Sequence, residues 1–391
     1  MKNMVCLRRR NKMEDLIKYF IFPFITVTLY IQVFNLNRFS NNGIYFGVRV
    51  PLEYKNDIDI LRLEKKYKKE NIVFVLPLII LLNILYIFNI KMWLLLTYTF
   101  ISIGITQILP IIYWKKMKRI KNERGWKVLS KNVIIVETGL RQPKKNSRIK
   151  ALETKHYLIL LIIPFVISIL TLINYNKLPE LIPVHYNAAG VVDKVVEKGT
   201  TAAYMNLAGI PFMLVLMIFF FVLINKITVN SKSDLFSGKI KGTIEKKLLF
   251  KKYISIFTWI LALETLIIMS LPQVSILFDL GTEIMTIPMV ILFISIGVFI
   301  LISYYFGQGG RNIKTTEEGE ENYRDDDDRY ILGSIYYNKN DPALMVEKRV
   351  GVGWTVNLAH PIGMILMVLP FIIMIGLIIF MYFFEKTNPM F

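Results

Sequence analysis

Eight stretches of this chain are apolar for long enough to cross a lipid bilayer, and they set what it can fold into. They cover residues 16–34, 71–90, 92–114, 156–175, 204–226, 251–272, 284–306 and 362–384, each near the roughly 20 residues a helix needs to span the hydrocarbon core. No water is there to bond a stray amide or carbonyl, so each run must satisfy its own backbone as a helix. The expected fold is all-α, a polytopic membrane bundle of about eight helices with a small module before the last. Prolines stand inside seven of the runs (Pro23, Pro77, Pro110, Pro164, Pro211, Pro288 and Pro370). Most fall in the first half of a run, where a missing amide costs least.

Charge sets the expected orientation. The chain carries 48 Lys and Arg against 29 Asp and Glu, a formal charge of +19. Residues 115–155 hold 14 bases and 3 acids, and 226–252 hold 8 and 2. Bases gathered in connections between spans follow the positive-inside bias, so both connections are expected in the cytoplasm, and nucleic acid is not an expected partner. Alternation then puts residues 176–203 outside, with both termini. The basic stretch LRRRNK (7–12) runs against this. A start at Met13 resolves the conflict, and so does override by the larger basic loops downstream. The one cysteine, Cys6, leaves no internal disulfide and no cysteine-based zinc set.

The outer connection LPELIPVHYNAAGVVDKVVEKGT (178–200) is too rich in special residues for a plain link. Pro179 and Pro183 fix their own φ and push their predecessors extended, which predicts a stiff, non-helical arm leaving the bilayer. Asn187 and Gly190 suit left-handed turns, and Asp193 can bond nearby backbone. Two readings fit: a capped connector tied down by His185 and Asp193, or a recognition surface held by rigid helices.

The stretch LPELIPVHYNAAGVVDK resembles the signature of the SdpI-like membrane proteins, with Pro179, Pro183, His185, Asn187, Gly190 and Asp193 in place and the likeness running over 156–226. A second segment, YILGSIYYNKNDPALMVEKRVGVGWTVNLAHPIG (330–363), resembles an uncharacterised module often found with that loop in bacterial, chiefly Firmicute, membrane proteins. Its pattern is carried here by Tyr337, Asn338, Asp341, Pro342, Lys348, Arg349, Gly351, Gly353 and Asn357. GIYFGVRVPLEY (43–54) also resembles a segment of that subgroup. The family includes an immunity protein that protects a cell from a secreted peptide toxin and passes its presence to a transcriptional repressor. The resemblance therefore implies a multi-pass protein of a bacterial cell membrane. Its outer loop would meet a secreted peptide or envelope-active compound, with a repressor as the partner inside. This chain differs from the namesake in length and in carrying the 330–363 module.

The chain divides into a three-helix region (1–155), the helix–loop–helix unit of the signature (156–226), two further helices (227–306), an acidic flexible linker (307–329), and the module with the last helix (330–391). The run DDDD (325–328) lacks the spacing and glycine of a calcium loop and reads as solvated charge. Residues 330–360 mix aromatic side chains with the turn NKNDP, which suggests a small hairpin-like unit docked under the helices. It either reads out a change across the membrane or caps the bundle. Residues 57–70 read either as an interfacial helix on anionic lipid or as a solvated extension of the second span.

Within the bilayer, Glu264 lies more than two turns from either end of its span, where a carboxylate is costly unless neutral, bonded or wet. It either makes one interhelical hydrogen bond or serves a proton-coupled carrier. No phosphate loop, nucleophile elbow or zinc-protease helix is present, so no enzyme, cofactor or metal is expected.

Overall fold

The computed structural model describes residues 19–89, 91–126, 149–186, 192–233, 240–280, 284, 286–314 and 325–387. Each apolar run is helical within them. In chain order the helices are α1 (Tyr19–Phe34), α2 (Ile58–Phe88), α3 (Met92–Glu123), α4 (Thr154–Lys177), α5 (Thr201–Asn230), α6 (Ile240–Phe278), α7 (Thr286–Phe306) and α8 (Pro361–Thr387). By length and composition, α2 to α8 can each cross a membrane, and α1 is a shorter apolar helix over its described residues.

Residues 57–70 extend the second span rather than forming a separate interfacial helix. Ile58–Glu70 passes through a π-helical turn, Asn71–Val75, into Leu76–Phe88. The cause is Pro77, which has no amide and whose ring would press on the carbonyl one turn back. Widening the helix by one residue relieves both. Asp57 caps the start by accepting the Asp59 amide at 2.8 Å. The Tyr67 hydroxyl donates to the Val33 carbonyl at 2.6 Å, which ties α2 to α1.

Packing falls into two groups joined by one helix. Around Tyr157, Leu214 and Leu266 the helices α4, α5 and α6 form one core, and around Tyr67, Ile79 and Tyr113 the end of α1 meets α2 and α3 in another. Helix α7 bridges them: Phe293 meets Phe24 of α1 at 4.8 Å, and Phe299 stacks on Phe257 of α6 at 3.9 Å. Helix α8 leans on α3 through Phe371 against Phe100 and Tyr382 against Trp93. It leaves Ile365, Ile372 and Phe380 exposed, as a helix facing acyl chains can.

Among the described residues strands are few and short. They pair as four antiparallel hairpins: β1 (Ile44–Tyr45) with β2 (Val48–Arg49), β3 (Leu181–Tyr186) with β4 (Val192–Glu197), β5 (Tyr330–Ile331) with β6 (Ile335–Tyr336), and β7 (Met345–Glu347) with β8 (Trp354–Val356). Helix α6 shows that they occupy opposite ends of the bundle. Leu277, near its end, packs with Leu178 and Ile182 at the base of β3–β4. Lys247, near its start, pairs with Glu347 of β7. The β1–β2 and β5–β6 hairpins gather with β7–β8 into a cap at that second end.

The cap is built on turns in close contact. The β1–β2 turn puts Phe46 and Gly47 at φ of 50° and 79°, and Leu332 and Gly333 in the β5–β6 turn stand at 52° and 76°. A Cβ on Gly47 would lie 2.5 Å from the Gly333 carbonyl oxygen, and one on Gly333 would lie 2.5 Å from Trp114 Cδ1 of α3. Only hydrogen fits at either position. Gly47→Ala and Gly333→Ala should each cost about 1–3 kcal/mol, read as a lower melting temperature of the purified protein in detergent. Gly209→Ala, in a helix with open space around it, should leave melting unchanged or raise it slightly.

Candidate functional site

The signature loop is a docked hairpin. Its arm leaves α4 through a tight turn at Tyr175–Lys177 and buries Leu178 and Ile182 against Ala203, Leu207 and Leu277. The Lys198 ammonium donates to the carbonyls of Asn176 and Leu178, each at 3.1 Å, and lies 5.5 Å from the Tyr175 ring. These contacts fix the base. Above it Leu181 pairs with Glu197, Ile182 with Val196, Pro183 with Val195 and His185 with Lys194, with an irregularity between Pro183 and His185. A proline cannot donate to a ladder, so the pairing slips there.

Of the residues expected to recognise a ligand, Pro179 and His185 are exposed and Pro183 is half-buried. Asn187 and Gly190 lie outside the described residues, and Asp193 is placed only by its position on β4. Missing from the sequence reading was the pairing itself. The arm is extended as expected, but it is one strand of a two-stranded sheet whose surface shows Leu181, Val192 and Val195. The apolar run VVDKVVE opposite LIPVHY was the available cue.

At the opposite end the acidic run is solvated only in part, with Asp325 and Asp328 exposed and Asp326 and Asp327 half-buried. Asp325, Asp326 and Asp327 meet three bases, of which Lys121 and Arg49 lie more than 200 residues away in the chain and Arg349 lies 22 beyond Asp327. The Lys121 ammonium at the end of α3 sits 2.7 Å from Asp325 and 2.6 Å from Asp327. The Arg49 Nε donates to Asp326 at 2.8 Å, while the Arg49 amide donates to Asp327 at 2.9 Å. Arg349 pairs with both Asp326 and Asp327, donates to the Gly47 carbonyl at 2.9 Å, and lies 4.3 Å from the Tyr330 ring. Arg49 and Arg349 are 3% and 2% exposed, too dry for charges without counter-ions. Burial by itself would raise the Asp326 pKa, but the guanidinium groups of Arg49 and Arg349 outweigh it and hold the carboxyl down at about 2. A local reading of DDDD could not find these partners. The better cue was the base inside each apolar alternation, GVRV and KRVGV, where a lone Arg needs a buried anion.

The remaining module residues form a second polar knot. The Asn357 amide donates to the carbonyls of Asn338 at 2.9 Å and Asp341 at 3.0 Å, and its oxygen accepts the Asn338 amide at 3.0 Å. Asp341 accepts from the Tyr336 hydroxyl at 2.8 Å and pairs with Lys232 at 2.6 Å. Burial raises the Asp341 pKa, yet Lys232, the Ala343 amide and Tyr336 bring it below the ordinary value. Gln308, just past α7, clamps the β7–β8 turn. It donates to the carbonyls of Lys348 and Gly353 and accepts the Gly353 amide. Gly351 and Gly353 take the positive φ that this turn needs. Lys348 is half-buried, and desolvation lowers its pKa. Tyr337 and Pro342 are exposed.

Glu264 has a partner that sequence could not name. Ser295 of α7 donates to one carboxyl oxygen at 2.6 Å, and the other oxygen is buried without a partner among the described residues. The contact couples α6 to α7 and is the interhelical bond expected of a polar group at that depth.

The fold defines a multi-pass integral membrane protein with a docked hairpin at one end and a polar cap at the other. Two of its segments match family models: residues 159–218 match a domain of unknown function (DUF1648), and residues 339–364 match a family of unknown function (DUF5808). No curated protein and no solved structure matches the chain. The first match covers most of α4, the hairpin and the first part of α5, and the second covers the β7–β8 unit and the start of α8.

A carboxyl whose pKa is lowered on folding contributes stability that is present above its unfolded value, about 4, and is lost as pH falls towards the folded value of about 2. Melting of the wild type should therefore weaken over that window, and Asp326→Asn should flatten this dependence. Arg349→Met should cost about 3–5 kcal/mol at neutral pH, because it takes from Asp326 and from Asp327 one of the two bases each is paired with, and from the Gly47 carbonyl its donor. In the bilayer, Glu264→Gln keeps an oxygen that can accept from Ser295 and should leave the inserted amount near normal. Glu264→Lys should lower it sharply, as quantitative blotting of membranes would measure.

Proposed function

We propose that the protein senses, or confers immunity to, a secreted peptide or other envelope-active compound, and that it acts by binding rather than catalysis. In this reading the β3–β4 hairpin faces the outside of a bacterial cell and the cap faces the cytoplasm, where a transcriptional repressor is the partner. One observation carries it. Helix α5 starts directly after β4 and runs unbroken to Asn230, beyond which Lys232 pairs with Asp341 and bridges to Val346 of β7. A rigid element with specific contacts at both ends is the physical requirement for passing a binding event across a membrane. The hairpin also suits a peptide, since a two-stranded sheet has open edges to which an extended chain can add, and exposed Leu181 and Val195 offer apolar contact.

The second reading is a proton-coupled carrier working through Glu264 and Ser295, favoured by the buried oxygen left over on Glu264. The two readings make different demands. Sensing or immunity needs the hairpin, whereas transport needs Glu264.

With Cys6 removed, a cysteine at Lys194 is expected to react with an impermeant maleimide in intact cells, and one at Asn340 only after permeabilisation. Reaction at Asn340 in intact cells would reverse the orientation. A deletion strain challenged with conditioned medium from competing strains should survive less well than the wild type. His185→Ala and Val195→Arg should keep normal membrane abundance but fail to restore survival, while Glu264→Gln restores it. Restoration by both hairpin variants and not by Glu264→Gln would favour the carrier.

A further inference from the structure

At the cap end, where α1 and α7 finish, lies a cavity of about 470 Å³ bounded by the loop after α1, the start of α2 and the chain just past α7. Its charge is one-sided. Among the described residues that line it, Arg38, Lys55, Lys68 and Arg311 are bases and Glu64 is the acid, and Glu64 already accepts from Asn37 at 2.6 Å. Aromatic rings hold two of the cations at the rim. The Arg38 guanidinium lies 4.6 Å from the centre of the Tyr304 ring, and the Lys68 ammonium 5.8 Å from that of Phe34. Arg311 is steered from below, donating to the backbone carbonyls of Asn41 and Arg38. Those bonds fix the position of its guanidinium group.

Surrounding features set the depth. Phe34 and Tyr304 stand at the ends of apolar spans, so the cavity opens at the level where lipid head groups lie. Just into the spans, Ile31 and Tyr305 are exposed beside Asn35 and Tyr304, an apolar path for acyl chains. On the polar side, Lys65, Lys66 and Lys69 of α2 are exposed as well.

We propose that this cavity binds a phosphate anion, supplied by the head group of an anionic phospholipid in the leaflet at the cap end. A surplus of bases in a concave, half-dry site attracts a phosphate more strongly than a flat basic surface does. Guanidinium and ammonium donors also match its oxygens. A zwitterionic lipid would add its own cation beside Arg38, Lys55 and Lys68, so the preference should be for a head group with net negative charge. A bound lipid would join the loop after α1, the start of α2 and the exit of α7, three segments that also support the cap.

The test uses the full chain, purified in detergent, with phosphatidylglycerol and phosphatidylcholine as probes in native mass spectrometry. The wild type should retain phosphatidylglycerol in preference to phosphatidylcholine. Lys55→Gln and Lys68→Gln change exposed residues and should each lower that retention about fivefold, with unchanged melting, while Lys177→Gln at the opposite end should not. Arg311→Gln should lower it too, and the two lysine variants keep the test valid if loss of the Arg311 backbone bonds unfolds the cap. Equal retention of the two lipids, or lysine variants that retain phosphatidylglycerol as the wild type does, would overturn the proposal. Glycerol 3-phosphate is the soluble arm. Failure to displace the lipid supports the head-group source, and full displacement at concentrations comparable to the lipid would overturn it in favour of a soluble phosphate.

Discussion

Three neighbouring carboxylates, Asp325, Asp326 and Asp327, share two guanidinium groups and one ammonium group at one end of the bundle, and the cap depends on that shared charge. Arg49 comes from the loop after α1, Lys121 from the end of α3, and Arg349 from the turn after β7. Each base would be badly placed alone, because the two arginines are almost dry. Together they form a set in which losing one member strands the others. The Gly47–Gly333 contact sits beside this network and is joined to it by the Arg349 bond to the Gly47 carbonyl. A second buried pair, Lys247 with Glu347, fastens the cap to α6, and Gly309 leaves the room it occupies.

The bilayer supplies the other constraint. It obliges the apolar runs to be helices but gives little reason for one helix to prefer another, so contacts must be made by shape and by a few polar bonds. That is what α7 provides, with aromatic side chains towards α1 and α6 and Ser295 towards Glu264. Buried polar groups elsewhere serve the same end. Gln273 of α6 donates to the Thr171 hydroxyl of α4 at 2.7 Å and to the Leu207 carbonyl of α5 at 3.1 Å, which joins three helices just beneath the hairpin. The segment matching DUF1648 therefore stands on a braced platform, and the segment matching DUF5808 closes the far end of the same helices.

What could be read from sequence divides along a physical line. The spans were legible because a bilayer imposes length and polarity on each one separately. Their ends were less so: α3 runs nine residues past its apolar run to Glu123, carried by charged residues that hydropathy counts against it. The proline arm was legible as extended because φ is fixed locally, but its pairing with Val192–Glu197 was not drawn. Least legible was the clasp. Asp327 and Lys121 are 206 residues apart in sequence, and nothing in a run of aspartates says which bases will reach it. Within the module, Asn338, Asp341, Arg349 and Asn357 were picked out by resemblance, and each makes a buried contact that holds the cap. Their first physical role is thus to hold a shape, on which any partner would then act.

The central claim is that the acidic run joins the loop after α1 to the module before α8 as one cooperative cap. Hydrogen–deuterium exchange of the protein in lipid nanodiscs tests it directly, comparing wild type with Asp326→Asn at residues 44–50 and 345–356. If the clasp unites them, the substitution should speed exchange in both segments together, although they lie about 300 residues apart, and leave residues 181–186 at the opposite end as they were. Faster exchange confined to one segment, or none in either, would show that the two are held separately and would contradict the claim.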